Sequence, residues 1–500
     1  MKRISLFNTL YYFYALLLGL VAAQIIATVQ VYMSNIRLYD NLVQIQKAGY
    51  LPVPNQQIMP ALQAFGPAFW GGLFFTFSIG AGIGLLSLAI AWIWDRLLRR
   101  NRNILILVLA LWAVVLVAAN SNGIDFFVVC YFLVIPTVVF SAAAMLMPQS
   151  TIKANLRPKT IHMIPIALLA ILWATQVDRN VFVDMRDNLL FSNPVGMKLS
   201  NFYYQYTLYA AEAFKSLDQK LLKTYLMEGG HEARSQYLLE EKLIQNDYLP
   251  VTSDSSTDLH IDGEDDSLIF MHGQKEILRT SDAQFFSRPE ETLSMVSQSM
   301  DTYATFRLLT FLSLIIGFPL AFFILTHSLI TLFFSLFLDV QTSRLVATGL
   351  FFLIGLLLLV PVHLYRSSHI TVDRLEQALE SEHLQERLAA LKYMRNHKID
   401  PGQYAVYAKL LASPNTAERY WLVRTLGFSR GRKTYKDLLK FLDDPQLNVR
   451  SMAFHALGER QDPRAMQPIL RHIQNSGCWY DQWYAYKALR ALGWKQTKSR

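Results

Sequence analysis

A helix needs about twenty apolar residues to cross a hydrocarbon core of roughly 30 Å, and this 500-residue chain supplies runs of that order repeatedly. Five fall in the first third, near Thr9–Met33, Phe65–Trp94, Ile104–Ala119, Phe126–Met147 and Ile161–Gln176. A sixth begins near Phe306, and a last runs about Leu345–Leu364. Between these two lies the shorter run Leu329–Leu338, which reads as a third span, a half-helix or an interfacial helix. Hydrophobic residues make up 52% of the chain and charged ones 17%, against about 25% charged in an average globular protein. A wholly soluble or disordered chain is excluded.

The expected fold is therefore mostly α: a polytopic helical membrane protein carrying a small α+β extracytoplasmic domain and a C-terminal α-solenoid. Residues 1–176 form a first membrane region of about five helices, 177–305 an outer domain, 306–366 a second membrane region of two or three helices, and 372–500 the solenoid. Basic residues in short loops mark the cytoplasmic side. Arg96, Arg99, Arg100 and Arg102 follow the second span, Lys153, Arg157 and Lys159 the fourth, and Lys2 and Arg3 precede the first. The N-terminus is then cytoplasmic and residues 177–305 lie outside. The side of the C-terminal region depends on the parity of the last spans. Its basic charge favours the cytoplasm and hence eight spans, in a bacterial inner membrane.

The net charge of +9 hides a division. Residues 176–305 carry 11 Lys/Arg against 21 Asp/Glu, and residues 372–500 carry 22 against 13. The basic balance is thus no argument for nucleic acid, and none is expected as a partner. Two cysteines, Cys130 and Cys478, exclude a disulfide framework and a four-cysteine zinc site. No cofactor is expected. GxSxG, HExxH and P-loop motifs are missing, so the usual reasons to propose an enzyme are missing with them.

Gly72, Thr76, Gly80 and Gly84 recur every fourth residue and share one helix face. Such a stripe lets a second helix backbone approach closely; a groove for a lipid or solute is the alternative. The span interiors hold no Asp, Glu, Lys or Arg, which argues against ion-coupled transport. In the outer domain, Asn201–Leu226 reads as an aromatic-rich helix. Ser267–His272 and Lys275–Thr280 read as a hairpin, and Ser287–Glu290 as a capping box opening a helix that runs on to Phe306. The acidic run Asp258–Asp266 fails as an EF-hand, because Ile269 stands where a bidentate Glu is required.

A repeat of about 31–35 residues occupies the C-terminus. Glu418-Arg419, Leu422 and Leu426-Gly427 form one copy, and Val449-Arg450, Ala453 and Leu457-Gly458 the next. Leu492-Gly493 closes a third, and Glu386-Arg387 with Ala390 opens an earlier, degenerate copy. This period predicts stacked helix pairs. The run Asp443-Asp444-Pro445…Val449-Arg450…Ala453…Ala456-Leu457-Gly458 resembles a HEAT repeat of the phycobilisome-lyase type. The resemblance covers roughly residues 375–495. It implies protein binding above all; some relatives act on bilin chromophores, but no catalytic residue carries over. The basic residues Arg430, Arg432, Lys433, Lys436 and Lys440 are candidates for contact with an acidic partner or anionic lipid. Trp479, Tyr480, Trp483, Tyr484, Tyr486 and Trp494 are expected to cap the last unit.

The leading expectation is a membrane scaffold that binds a partner protein through its repeats, with membrane lipids as its other contact. A transporter or channel component regulated by the repeats is the alternative, and an envelope enzyme the second.

Overall fold

The computed structural model describes residues 10–147, 163–178, 180–229, 233–252, 257–264, 266–365 and 370–498. Six helices are long and apolar enough to cross a membrane. The first four are α1 (Tyr11–Lys47), α2 (Phe65–Arg96), α3 (Arg102–Ala119) and α4 (Phe126–Leu146). A shorter apolar helix, α5 (Met163–Ala174), follows. The loop carrying Lys153, Arg157 and Lys159 lies outside the described residues.

At 1.5 Å per residue the 37 residues of α1 extend about 55 Å, well beyond a bilayer core. Its first half packs against α2 and α4. Small residues set the spacing: a Cβ on Gly80 would stand 2.6 Å from Ala23 Cβ, and one on Gly72 3.1 Å from the Thr28 amide. Its second half projects past the bundle and delivers residues 48–64 to the water-facing parts.

Beyond α5, helix α6 (Pro194–Glu212) lies across the start of α2. It is initiated by Asn193, whose side chain accepts from the Gly196 amide. The helix expected to reach Leu226 stops there, and β1 (Lys223–Gly229) begins instead. A five-stranded sheet follows, in the order β2-β1-β3-β4-β5. Its other strands are β2 (Tyr248–Pro250), β3 (Leu259–Glu264), β4 (Ser267–His272) and β5 (Lys275–Ser281). Strand β1 is parallel to β2 and β3, which connects on to the antiparallel hairpin β4–β5. Gly273 occupies the left-handed region at the hairpin turn. Tyr225, Ile261 and Phe270 bury themselves against α7 (Ala233–Gln245), α8 (Asp282–Ser287) and α9 (Pro289–Met300). Ser287 ends α8 rather than capping the next helix, and α9 stops at Met300, short of the apolar bundle.

The chain re-enters the bundle as α10 (Ala304–Phe334), turns, and returns as α11 (Val340–Tyr365). Leu329–Leu338 is thus the end of α10 and its turn, not a separate element, because residues 318–334 are one uninterrupted helix. Two apolar helices rather than three precede the C-terminal region.

That region is four stacked helix pairs: α12 (Leu375–Glu380) with α13 (Leu384–His397), α14 (Tyr407–Leu411) with α15 (Thr416–Leu426), α16 (Arg432–Lys440) with α17 (Leu447–Arg460), and α18 (Met466–Asn475) with α19 (Trp479–Ala491). The second helices stack on one another in order. The repeat motif explains how. Arg387, Arg419 and Arg450 each donate through Nη1 to a carbonyl six residues earlier, those of Ser381, Ser413 and Asp444. Each also donates through Nε to an acid ahead: Glu418 at 2.6 Å, Asp444 at 2.8 Å and Asp481 at 2.9 Å. The glycines of the first two Leu-Gly pairs permit close stacking: a Cβ on Gly427 would lie 3.3 Å from the Ala456 Cα and one on Gly458 3.1 Å from the Ala488 Cα, whereas Gly493 has open space and a left-handed backbone.

The expectation that the outer domain and the solenoid occupy opposite sides is not met. They touch directly, at one end of the apolar bundle. The solenoid's positive charge led to the cytoplasmic assignment, but part of that charge is spent on the acidic domain beside it.

Candidate functional site

The face presented by α13, α15, α17 and α19 is where a solenoid of this kind would hold a partner, and here it meets the chain itself. Four segments reach it.

The first is the short helical segment of residues 181–190 that follows α5. Arg186 and Asp187 are buried side by side, and Asp187 Oδ1 accepts from the Arg186 guanidinium at 2.7 Å. Asp187 Oδ2 accepts from the Trp421 indole at 2.7 Å and lies 3.1 Å from the Lys392 ammonium. The Arg186 guanidinium stacks 3.8 Å above the Tyr420 ring. One carboxylate thus joins α13 and α15 to the base of the outer domain. The second segment is α6. Ser200 accepts from Asn448 at 3.2 Å, Tyr204 packs on Tyr480 at 4.8 Å between ring centres, and Tyr209 on Trp479 at 4.9 Å. The aromatic residues of the last unit, expected only to cap it, also form this contact.

The third segment is the loop after α1. Asn55, which is buried, donates from Nδ2 to the carbonyls of Ile473, Gln474 and Ser476, and its backbone N–H to Gln482. Gln496 pairs with both the N–H and the C=O of Leu51. The fourth is the turn between α7 and β2. Asp247 accepts from the Tyr486 hydroxyl and lies 3.1 Å from Arg490. Burial pushes the Asp247 carboxyl above its usual range, against the pull of Tyr486 and Arg490. Lys498 and Lys495 approach Glu240 and Glu241 at 3.7 and 4.0 Å on the rim.

Residues 405–496 match the family model of HEAT repeats. The HEAT match begins after the first helix pair, yet α12 and α13 continue the same stack. No curated protein matches the chain, and no solved structure does.

What the docked HEAT face leaves open is its other side. Helix α16 packs on α15 and α17, and Arg430, Arg432, Lys433, Lys436 and Lys440 are exposed around it. Lys440 pairs with Asp437 at 2.9 Å and Arg430 donates to the Arg460 carbonyl; Lys433 lies over the Tyr407 ring. Arg432 and Lys436 have no ion-pair partner among the described residues.

The stripe in α2 faces α1. Thr76 donates to the Gln24 side chain at 2.7 Å, and Gly84 lies against Leu16. Gly82, beside the stripe, meets Gly317 of α10, where a Cβ on Gly317 would stand 2.9 Å from the Gly82 Cα. Both contacts are within the chain. His327 and His363 are apart, bonded to Thr348 and Gln176, and His162 lies outside the described residues. Asp258, from the acidic run, is committed to Lys220 and the Thr224 amide.

The anchors Asn55 and Asp247 were not singled out by sequence, and Asp187 stood there only as one of several outer acids to substitute. Asn55 and Asp247 are single polar residues in loops and Asp187 sits in the short helical segment 181–190; the partner of each lies more than two hundred positions away. The arginines of the repeat were visible, because their partners recur at nearly the repeat period.

Proposed function

We propose that this chain is an integral membrane scaffold whose HEAT solenoid is clamped to the membrane-proximal domain and binds a soluble protein through its outward side. The supporting observation is the occupied inner face: with Asp187, α6, Asn55 and Asp247 seated on it, the surface left for a partner is the one around α16. Its uncommitted cations, Arg432 and Lys436, suit an acidic protein surface, and the rest of the patch adds to the same field.

The membrane reading rests on the six long apolar helices; we count the shorter α5 as a further crossing, which makes seven. Tyr11 lies near Arg96, and Tyr12 near Arg344, so the arginines gather at the start of α1. The soluble bodies gather at the other end, where Tyr303 donates to Asp125 and Arg307 to the Phe214 carbonyl. By the positive-inside rule the arginine end is cytoplasmic. On this reading both the acidic domain and the solenoid lie outside. In a bacterium this is the outer face of the inner membrane.

Photo-crosslinking tests the scaffold reading. A crosslinking residue at Lys436 in intact cells should yield one adduct of defined mass, reduced strongly by Arg432→Glu. The same residue at Ser451, buried on the docked side, should yield none. Equal adducts from both positions, or none from Lys436, would end the proposal.

A further inference from the structure

Between the segment following α5 and the first two HEAT pairs lies an open cleft of about 810 Å³. Four cations line it: Lys392, Arg395, Lys398 and Arg424. Asp184 lines it as well: Lys392 is held by Asp187 and lies 3.8 Å from Asp184, and Arg395 is held by Glu459 at 2.6 Å. Lys398 and Arg424 meet no carboxylate among the described residues. Lys398 sits on the Phe428 ring at 5.6 Å and Arg424 on Trp421 at 5.1 Å, so aromatic faces rather than acids hold them in place. The Nε atoms of Arg395 and Arg424 are buried without a hydrogen-bond partner, and so is Oδ1 of Asn188 on the facing wall. Those three atoms are shut off from the cleft, so what the cleft offers a ligand is the outer guanidinium edges of Arg395 and Arg424, the Lys398 ammonium and the Asn188 amide. Such a lining suits an anion that takes several N–H donors and carries a polar hydroxyl beside it.

We propose that this cleft binds a phosphoglycerol group. The phosphate would take the outer guanidinium donors of Arg424 and Arg395 with Lys398 beside it, and a glycerol hydroxyl would pair with the Asn188 amide. The same chemistry is available from an anionic lipid headgroup or from free glycerol phosphate. Position favours the lipid. The cleft wall begins at Asn180, just past α5, and includes Ile370, just past α11. Between them Phe182 packs on Phe311 of α10 at 6.3 Å. The mouth of the cleft is therefore at the end of the apolar bundle. The lipid source rests on the membrane reading above, whereas recognition of phosphoglycerol does not.

Native mass spectrometry of the full chain in detergent tests it, with dioleoyl phosphatidylglycerol and dioleoyl phosphatidylcholine as probes and glycerol 3-phosphate as competitor. Phosphatidylglycerol should be retained at least about tenfold over phosphatidylcholine. Removing one charge near the surface should weaken it about fivefold, and Lys398→Gln with Arg424→Gln together by more. Lys398 has positive φ (55°), which asparagine tolerates well, so Lys398→Asn tests the site with the backbone kept. Arg471→Gln, exposed on α18 and away from the cleft, should change nothing. Displacement of the lipid by millimolar glycerol 3-phosphate, or binding of that compound alone, supports the site and assigns the free source. Equal retention of the two lipids without glycerol 3-phosphate binding would overturn the proposal. So would losses from Arg471→Gln equal to those from Lys398→Asn.

Discussion

Asp187→Ala should open the clamp between the outer domain and the solenoid. The side chain is buried and serves three groups at once: the Arg186 guanidinium, the Trp421 indole and the Lys392 ammonium. Its removal leaves Arg186, itself 8% exposed, without a carboxylate. Breaking a buried pair in this way costs about 3–5 kcal/mol. At about 1.4 kcal/mol per tenfold, local opening of α13 and α15 away from the 180–191 segment becomes on the order of 10²–10³ times more frequent. Hydrogen exchange of the full chain in detergent reads this directly. Amides of the Tyr420–Leu426 and Leu388–Met394 stretches should lose protection by two orders of magnitude or more. Those of β4 and of the α1–α4 contact should keep theirs. Unchanged exchange in α15 would refute the reasoning, since the carboxylate would then not be carrying the contact.

Asn55→Ala removes the donor to three carbonyls of the last unit, which should cost about 1–3 kcal/mol; limited proteolysis should then cut within residues 48–64 much faster than in the parent. Gly80→Ala places a methyl 2.6 Å from Ala23 Cβ and should lower thermal stability in detergent, whereas Gly66→Ala meets nothing within 4 Å and should leave it unchanged. Glu459 lies between Arg395 and His455. Burial raises its carboxyl, but the two cations outweigh burial and hold it below the usual glutamate range. A lowered carboxyl contributes stability above its unfolded value, about 4.3, and loses it as pH falls through the folded value. The melting-temperature difference between the parent and Glu459→Gln should therefore be present at pH 6 and shrink progressively below about pH 4.3; a difference that grows with acid would contradict the assignment.

The local signals in the sequence were strong where neighbours along the chain determine structure. Apolar length marks α1–α4, the turn at Gly273-Gln274 marks β4–β5, and the Arg and Leu-Gly positions mark the stacked pairs. Elsewhere the reading depended on contacts that no local pattern encodes. Residues 201–226 read as one aromatic-rich helix, yet β1 is recruited into the sheet by β2 and β3, which come later in the chain. Net charge treated the solenoid and the acidic domain as separate bodies, whereas they share one side. Lys392, Arg490, Lys495 and Lys498 find acids in the domain beside them, so their charge carries no information about which side of a membrane they face. The same reasoning explains why the candidate site was only half legible. The Arg430–Lys440 patch is contiguous in sequence, whereas the phosphoglycerol cleft is assembled from residues near 188, 395 and 424.

The most direct test of the docked arrangement is sidedness. In a background with Cys130 and Cys478 replaced by serine, single cysteines at Lys275→Cys on the outer hairpin and Lys436→Cys on the solenoid are exposed to a membrane-impermeant maleimide in intact cells. Docking predicts that both label to a similar extent before permeabilisation. Labelling of one with protection of the other would put a bilayer between the two bodies and contradict the structure's central feature.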